Sequence, residues 1–160
     1  SRTHEPRVKG DSVQMRKVMQ GLERAKRPLI DAGGGVTLSG SCGELRRVSE
    51  EFRIPVVSTM LGIGVMPTEH PMYFGMVGNN GKPYANRAMN ESDLLIMVGA
   101  RVADRSVNQP DIITHDKVLV HTDVDPAEIG KNAGPTIPLV GAARQIFVDV
   151  EKHEFFCEHE

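Results

Sequence analysis

Three stretches of this chain carry an apolar run straight into residues able to bind an anion or a sugar hydroxyl. Arg27-Pro28-Leu29-Ile30-Asp31-Ala32 leads into Gly33-Gly34-Gly35, Asp93-Leu94-Leu95-Ile96-Met97-Val98 into Gly99-Ala100-Arg101, and Val118-Leu119-Val120-His121-Thr122 into Asp123-Val124-Asp125-Pro126. Consecutive glycines have no Cβ to obstruct a backbone whose N–H groups turn toward an anion. A guanidinium just past a strand, as at Arg101, can hold a phosphate through two parallel hydrogen bonds. A carboxylate at a strand end, as at Asp123, can accept from ribose hydroxyls, whereas Asp125 before Pro126 is better suited to cap a helix. In an open parallel sheet such turns line the crevice at the strands' carboxyl ends, where ligands bind. Each also has a plainer reading: the glycines as a tight strand-to-loop turn, and Asp104 with Arg105 as a loop ion pair of little weight.

What accompanies this cradle is not catalytic. Leu38 stands where the dinucleotide fingerprint G-x-G-x-x-G needs its third glycine, and no acidic strand end follows about 20 residues on. There is no Ser/His/Asp order, no G-x-S-x-G, no HExxH, no P-loop and no acid/base pair. His70, His115 and His121 are scattered without ligand spacing, and His153 with Cys157 reads as part of a solvated tail rather than a metal site.

Composition narrows the class. With 160 residues, 39% of them hydrophobic, the chain can bury one core. A net charge of −2 gives no electrostatic footprint for nucleic acid, and with 4% aromatic residues and no Trp there is no base-stacking platform. Two cysteines without CxxC spacing suit a reducing, cytoplasmic setting and give no zinc signature. No apolar run approaches the roughly 20 residues of a membrane span. The polar start Ser1-Arg2-Thr3-His4-Glu5-Pro6-Arg7 lacks the apolar segment of a signal peptide and reads as an interdomain linker. The organisation expected is a linker over 1–10, one domain over 11–150, and a tail or linker over 151–160.

The elements that must carry the cradle follow from periodicity. Asp11 is a candidate N-cap for a helix with Val13, Val18, Met19 and Leu22 on one face, cations at its end, and Pro28 as its stop. Leu29–Ala32 is a short buried strand. Ser41-Cys42-Gly43-Glu44 matches a capping box, and Leu45, Val48 and Phe52 continue at helical spacing. Ile54–Thr59 is a β-branched strand, and the Gly- and Met-rich stretch 60–81 reads mostly as loop. Pro83 opens a helix with Tyr84, Ala85, Ala88 and Met89. Asp93–Val98, Val118–Asp123 and Ile137–Val140 are further strands, and a helix over 142–150 closes the domain. Alternating strands and helices predict a doubly wound, Rossmann-like α/β domain with a mostly parallel sheet of about six strands.

The same residues carry a resemblance. Lys26-Arg27-Pro28-Leu29-Ile30 into Gly33-Gly34-Gly35, Ile54-Pro55-Val56-Val57-Ser58-Thr59-Met60-Leu61-Gly62, Gly78 to Gly81, Tyr84-Ala85-Asn86, Asp93-Leu94-Leu95, Gly99-Ala100-Arg101 and Asp123-Val124-Asp125-Pro126-Ala127-Glu128-Ile129-Gly130-Lys131-Asn132 together resemble the central domain of acetolactate synthase (acetohydroxyacid synthase). This is a thiamine-diphosphate-dependent family of branched-chain amino-acid biosynthesis, and the likeness runs from about Pro6 to about Val150. The Glu-Ile-Gly-Lys-Asn segment is its most specific part.

The resemblance implies an enzyme of three domains, of which this is the non-catalytic middle one. Thiamine diphosphate and magnesium would be bound by the flanking domains, and the chain alone would be inactive. It implies a homo-oligomeric parent that joins two 2-oxo acids with loss of carbon dioxide. As in the family's anabolic members, and unlike its FAD-free catabolic ones, it would hold FAD in a structural role, contacted at Gly34, Met60, Leu61, Val77, Gly78, Asn79, Asn80, Gly99, Ala100, Arg101, Asp123 and Val124, with Ala142 and Ala143 following. Three positions depart from the family pattern: Val102-Ala103-Asp104-Arg105 for Phe-Asp-Asp-Arg, Asn79-Asn80 for Met-His, and Gly141-Ala142 for Gly-Asp. The competing readings are the central domain of a glyoxylate carboligase or 2-oxo acid decarboxylase, and a stand-alone nucleotide-binding module.

Overall fold

The computed structural model describes residues 9–78, 80–99, 116–122, 134–139 and 143–159. Six parallel strands form one sheet in the order β3-β2-β1-β4-β5-β6: β1 Pro28–Ala32, β2 Val56–Ser58, β3 Tyr73–Met76, β4 Leu94–Val98, β5 Val118–Thr122 and β6 Thr136–Leu139. The helices among the described residues are α1 Lys9–Arg24, α2 Gly34–Leu38, α3 Cys42–Phe52, α4 Pro83–Glu91 and α5 Ala143–His159. This is the expected doubly wound α/β architecture.

Alternation along the central strands sorts the core onto two faces. Ile30, Ala32, Ile96, Val98 and Val120 pack with Met15 and Val18 of α1, Leu45 and Val48 of α3, and Ile146, Phe147 and Val150 of α5. Leu29, Leu95, Met97 and Leu119 point the other way, onto Ala85 and Met89 of α4. Every residue of β4 is buried, as a strand covered on both faces requires. Emptying one such site, as in Leu95→Ala, removes about 2–5 kcal/mol in comparable cores.

The amino ends of the strands are stapled by side chains. Asp93 accepts the backbone N–H groups of Lys26 (2.8 Å) and Arg27 (2.9 Å), fixing the start of β1 against β4. Lys117, 2% exposed, donates to the Met89 carbonyl (2.7 Å) and to Ser92 Oγ (3.0 Å), closing the last turn of α4 onto β5. Burial pushes the Lys117 ammonium below its ordinary pKa, and the nearby Asp93 charge opposes that shift.

Several local expectations are corrected. α1 starts at Lys9, two residues before the predicted cap Asp11, and ends at Arg24, so Pro28 opens β1 rather than stopping the helix. The capping box at Ser41 does not form, because Ser41 Oγ pairs with Ser39 Oγ at 2.6 Å and makes no cap bond. Glu44 instead lies 3.9 Å from Arg47 and 3.6 Å from Arg144. The stretch read as loop contains β3, which is bound to β2 by Ser58 Oγ and the Tyr73 hydroxyl at 2.7 Å. The glycine run is not a loop either: Gly34 begins α2. α5 continues past Val150 to His159.

Candidate functional site

The strand order reverses between β1 and β4, and in open parallel sheets the crevice that takes a ligand lies at the carboxyl edge of such a switch point. Around it lie Gly33–Val36 after β1, Met60–Ile63 after β2, Val77–Lys82 after β3 and Gly99 after β4. Parallel strands bring Gly34, Met60, Leu61, Val77, Gly78, Asn80 and Gly99 to one edge. Asn79, Ala100, Arg101, Asp123, Val124 and Ala142 lie outside the described residues, and Ala143 is buried at the start of α5.

The glycine run works differently from an anion cradle. Gly33 N–H donates to the Val98 carbonyl at 2.8 Å, and Gly35 N–H donates to the Gly99 carbonyl at 2.9 Å. A Cβ on Gly35 would stand 2.9 Å from Gly99 Cα, and one on Gly99, whose φ is +67°, would stand 2.7 Å from Val36 N. These glycines exist so that α2 can lie directly on the end of β4, and their N–H groups are engaged in doing so. Consecutive glycines in a sequence signal close approach, and only the fold shows that the approaching group is backbone. Gly34 plays the same part toward Leu61, whose Cβ would lie 3.1 Å away from an added methyl.

Close packing beneath leaves apolar side chains above. Gly62 packs on the Ala32 carbonyl, Thr59 N–H donates to that carbonyl at 3.1 Å, and Gly62 N–H donates to Thr59 O at 3.0 Å. The tight 3-10 turn Met60–Gly62 therefore projects Met60 (61% exposed) and Leu61 (53%) outward, with Ile63 and Leu38 also exposed. Large exposed apolar residues gathered beside a switch point are the mark of a contact surface rather than of a solvated face.

The third wall is the turn after β3. Val77 N–H donates to the Ser58 carbonyl (2.9 Å), Lys82 N–H to Met76 O (2.8 Å) and Gly81 N–H to Gly78 O (3.0 Å). Gly78, with φ of +121°, is gripped from α4: its N–H donates to Asn86 Oδ1 and its carbonyl accepts from Asn86 Nδ2, both at 2.9 Å. Asn86 was visible in the sequence only as part of Tyr84-Ala85-Asn86. The signal that could have exposed it is a polar amide on the turn-facing side of a helix that starts at Pro83.

Among the described residues, His70 and His121 serve the fold. His70 Nδ1 accepts from Met72 N–H (3.1 Å), which leaves its Nε2–H to donate to Glu50 at 2.8 Å. Those bonds from His70 and then Arg46 hold the Glu50 carboxyl below the usual range. His121, 6% exposed on β5 opposite Met97, has its pKa lowered by burial and stays neutral in the core. His115 and the side chains of His153 and Cys157 lie outside what is described. Among the described residues no group of three His, Cys, Asp or Glu side chains could hold a metal ion. No helix among them is long and apolar enough to cross a membrane.

Residues 15–150 match the family described as thiamine pyrophosphate enzyme, central domain. The chain is 40% identical over 147 residues to a probable acetolactate synthase large subunit of Methanocaldococcus jannaschii, covering 92% of this chain and 25% of that protein. It is 37% identical to an acetolactate synthase of Arthrospira platensis, covering 97% and 27%, and 39% identical to an acetolactate synthase large subunit of Lactococcus lactis, covering 82% and 23%. The chain thus spans about a quarter of the length of these curated relatives.

Proposed function

From a chain that belongs to the central-domain family of thiamine pyrophosphate enzymes, we propose the non-catalytic middle domain of an acetolactate-forming carboligase. The observation that carries this reading is the likeness to acetolactate synthase large subunits over 92% of the chain. The parent would join two 2-oxo acids with release of carbon dioxide, as a cytoplasmic homo-oligomer. Thiamine diphosphate with magnesium, held by the flanking domains, would supply the carbon–carbon chemistry. This domain would supply a fixed surface: the described crevice presents apolar side chains and backbone turns, with no nucleophile or acid/base pair among them.

The group proposed for that surface is FAD, held without redox work. The described residues suit its uncharged parts. Met60 and Leu61 offer an exposed apolar wall, and the Gly78 turn offers polar backbone beside it. The glycine run does not suit its diphosphate, since Gly33 and Gly35 N–H are engaged with β4; the charge would fall to Arg101. Partial walls make for partial affinity, so the chain alone is expected to bind FAD no more tightly than micromolar, about 8 kcal/mol.

The experiment for the function is complementation. Supplied alone with pyruvate, thiamine diphosphate and magnesium, the chain should form no acetolactate. Substituted for the middle domain of a related acetolactate synthase, it should support carboligation. Acetolactate from the chain alone, with contaminating enzyme excluded, would sink the proposal, and so would a well-folded but inactive chimera.

A further inference from the structure

Among the described residues β3 is the edge strand, paired with β2 alone, so past Val77, whose N–H still reaches the Ser58 carbonyl, no strand holds the shape of the chain. Asn86 takes the place of one. A side-chain amide has one acceptor oxygen and a donor nitrogen side by side, the pattern an adjacent strand presents. Here it meets the N–H and the carbonyl of the same residue, Gly78. Gly78 has one N–H donor and one carbonyl acceptor, so the bonds fix which end of the amide points where. Aspartate has the same shape but sets an anionic oxygen against the Gly78 carbonyl, and alanine offers nothing.

The clamped turn borders the apolar wall directly. Val77 N–H is tied to the carbonyl of Ser58, one residue before the Thr59 cap of the Met60–Gly62 turn. The helix that carries Asn86 is anchored by other means. Ala85 and Met89 are buried in the second core, the Phe74 and Tyr84 rings lie 4.7 Å apart, and Lys117 holds the Met89 carbonyl. Losing the Asn86 amide should therefore release the turn without displacing α4.

We infer that Asn86 is a positioning residue, which sets the backbone at Val77 and Gly78 in the shape in which it meets a flavin dinucleotide. It acts through Gly78 and does not itself touch the ligand. The inference rests on the flavin reading above, and the experiment separates the two. Asn86→Ala and Asn86→Asp are compared with the unaltered chain by hydrogen–deuterium exchange over 76–82 and by flavin-fluorescence titration with FAD to millimolar concentration. Both variants should stay folded, exchange about tenfold faster across the turn, and bind FAD about tenfold more weakly, the order of effect expected when one or both bonds to Gly78 are lost. A role in shape alone would leave Asn86→Asp indistinguishable from the unaltered chain. Unchanged exchange in both variants overturns the clamp. Faster exchange with unchanged FAD affinity overturns the positioning role. If the unaltered chain shows no response to FAD, the same titration is made on the chimera that carries this domain; no response there ends the flavin reading and the positioning role with it, while exchange still decides the clamp.

Discussion

The two edges of the sheet are built on opposite plans. At the amino edge, charged side chains do the joining: the Asp93 carboxylate takes two backbone N–H groups and the buried Lys117 ammonium closes α4. At the carboxyl edge the backbone joins itself, Gly33 to Val98 and Gly35 to Gly99, and apolar side chains are left outward. A charged staple uses up the groups it employs, whereas a backbone joint leaves the surrounding side chains free to meet something else. On the function proposed above, the edge built from glycine is the one that meets a ligand.

The sharpest way to break this comparison is at the glycine joint. Gly99→Ala puts a Cβ 2.7 Å from Val36 N at a φ of +67° and should cost about 2–3 kcal/mol, read as a lowered denaturation midpoint. If that substitution is neutral, the joint is looser than described. At the other edge, Lys117→Ala strips the Met89 carbonyl and Ser92 hydroxyl of a buried donor and should cost about 1–3 kcal/mol with no effect on FAD affinity. A change in affinity there would mean the two edges are not independent.

Smaller effects sharpen the picture. Met60→Ser with Leu61→Ser should leave stability within about 0.5 kcal/mol, because both side chains are already exposed, while weakening FAD binding. Destabilisation would show that these residues are packed rather than presented. The least effect concerns His121, whose folded pKa lies below the ordinary 6.5 through burial. The unfolded chain then binds its proton first as pH falls, so stability is full above about 6.5 and declines from there toward the folded pKa. Thermal midpoints measured across that window should fall less for His121→Leu than for the unaltered chain.

How much of this was legible in the sequence depends on burial. β4 is a continuous apolar run, and β1 and β5 are mostly apolar and buried, broken only by Asp31, His121 and Thr122, so all three read plainly. β3 did not, since an edge strand of four half-buried residues interrupted by Gly75 at φ +111° shows no alternation. The glycines were legible as special positions but not in what they do, because an N–H turned toward an anion and one turned toward Val98 come from the same three letters. Ser41 was a sound cap by pattern and lost to Ser39, a neighbour that only the turn between α2 and α3 brings within 2.6 Å. Asn86 left only a faint signal, a polar amide in the first turns of a helix that starts at Pro83, and nothing in it names the glycine eight positions back that it grips.

The account stands most directly on where a ligand lands. Hydrogen–deuterium exchange with and without saturating FAD should show protection at 59–63 and 76–82 beside the switch point. It should show none at the staples around 26–27, 92–94 and 117–118. Protection confined to the staple edge, with the Met60–Ile63 and Val77–Lys82 turns unchanged, would contradict it.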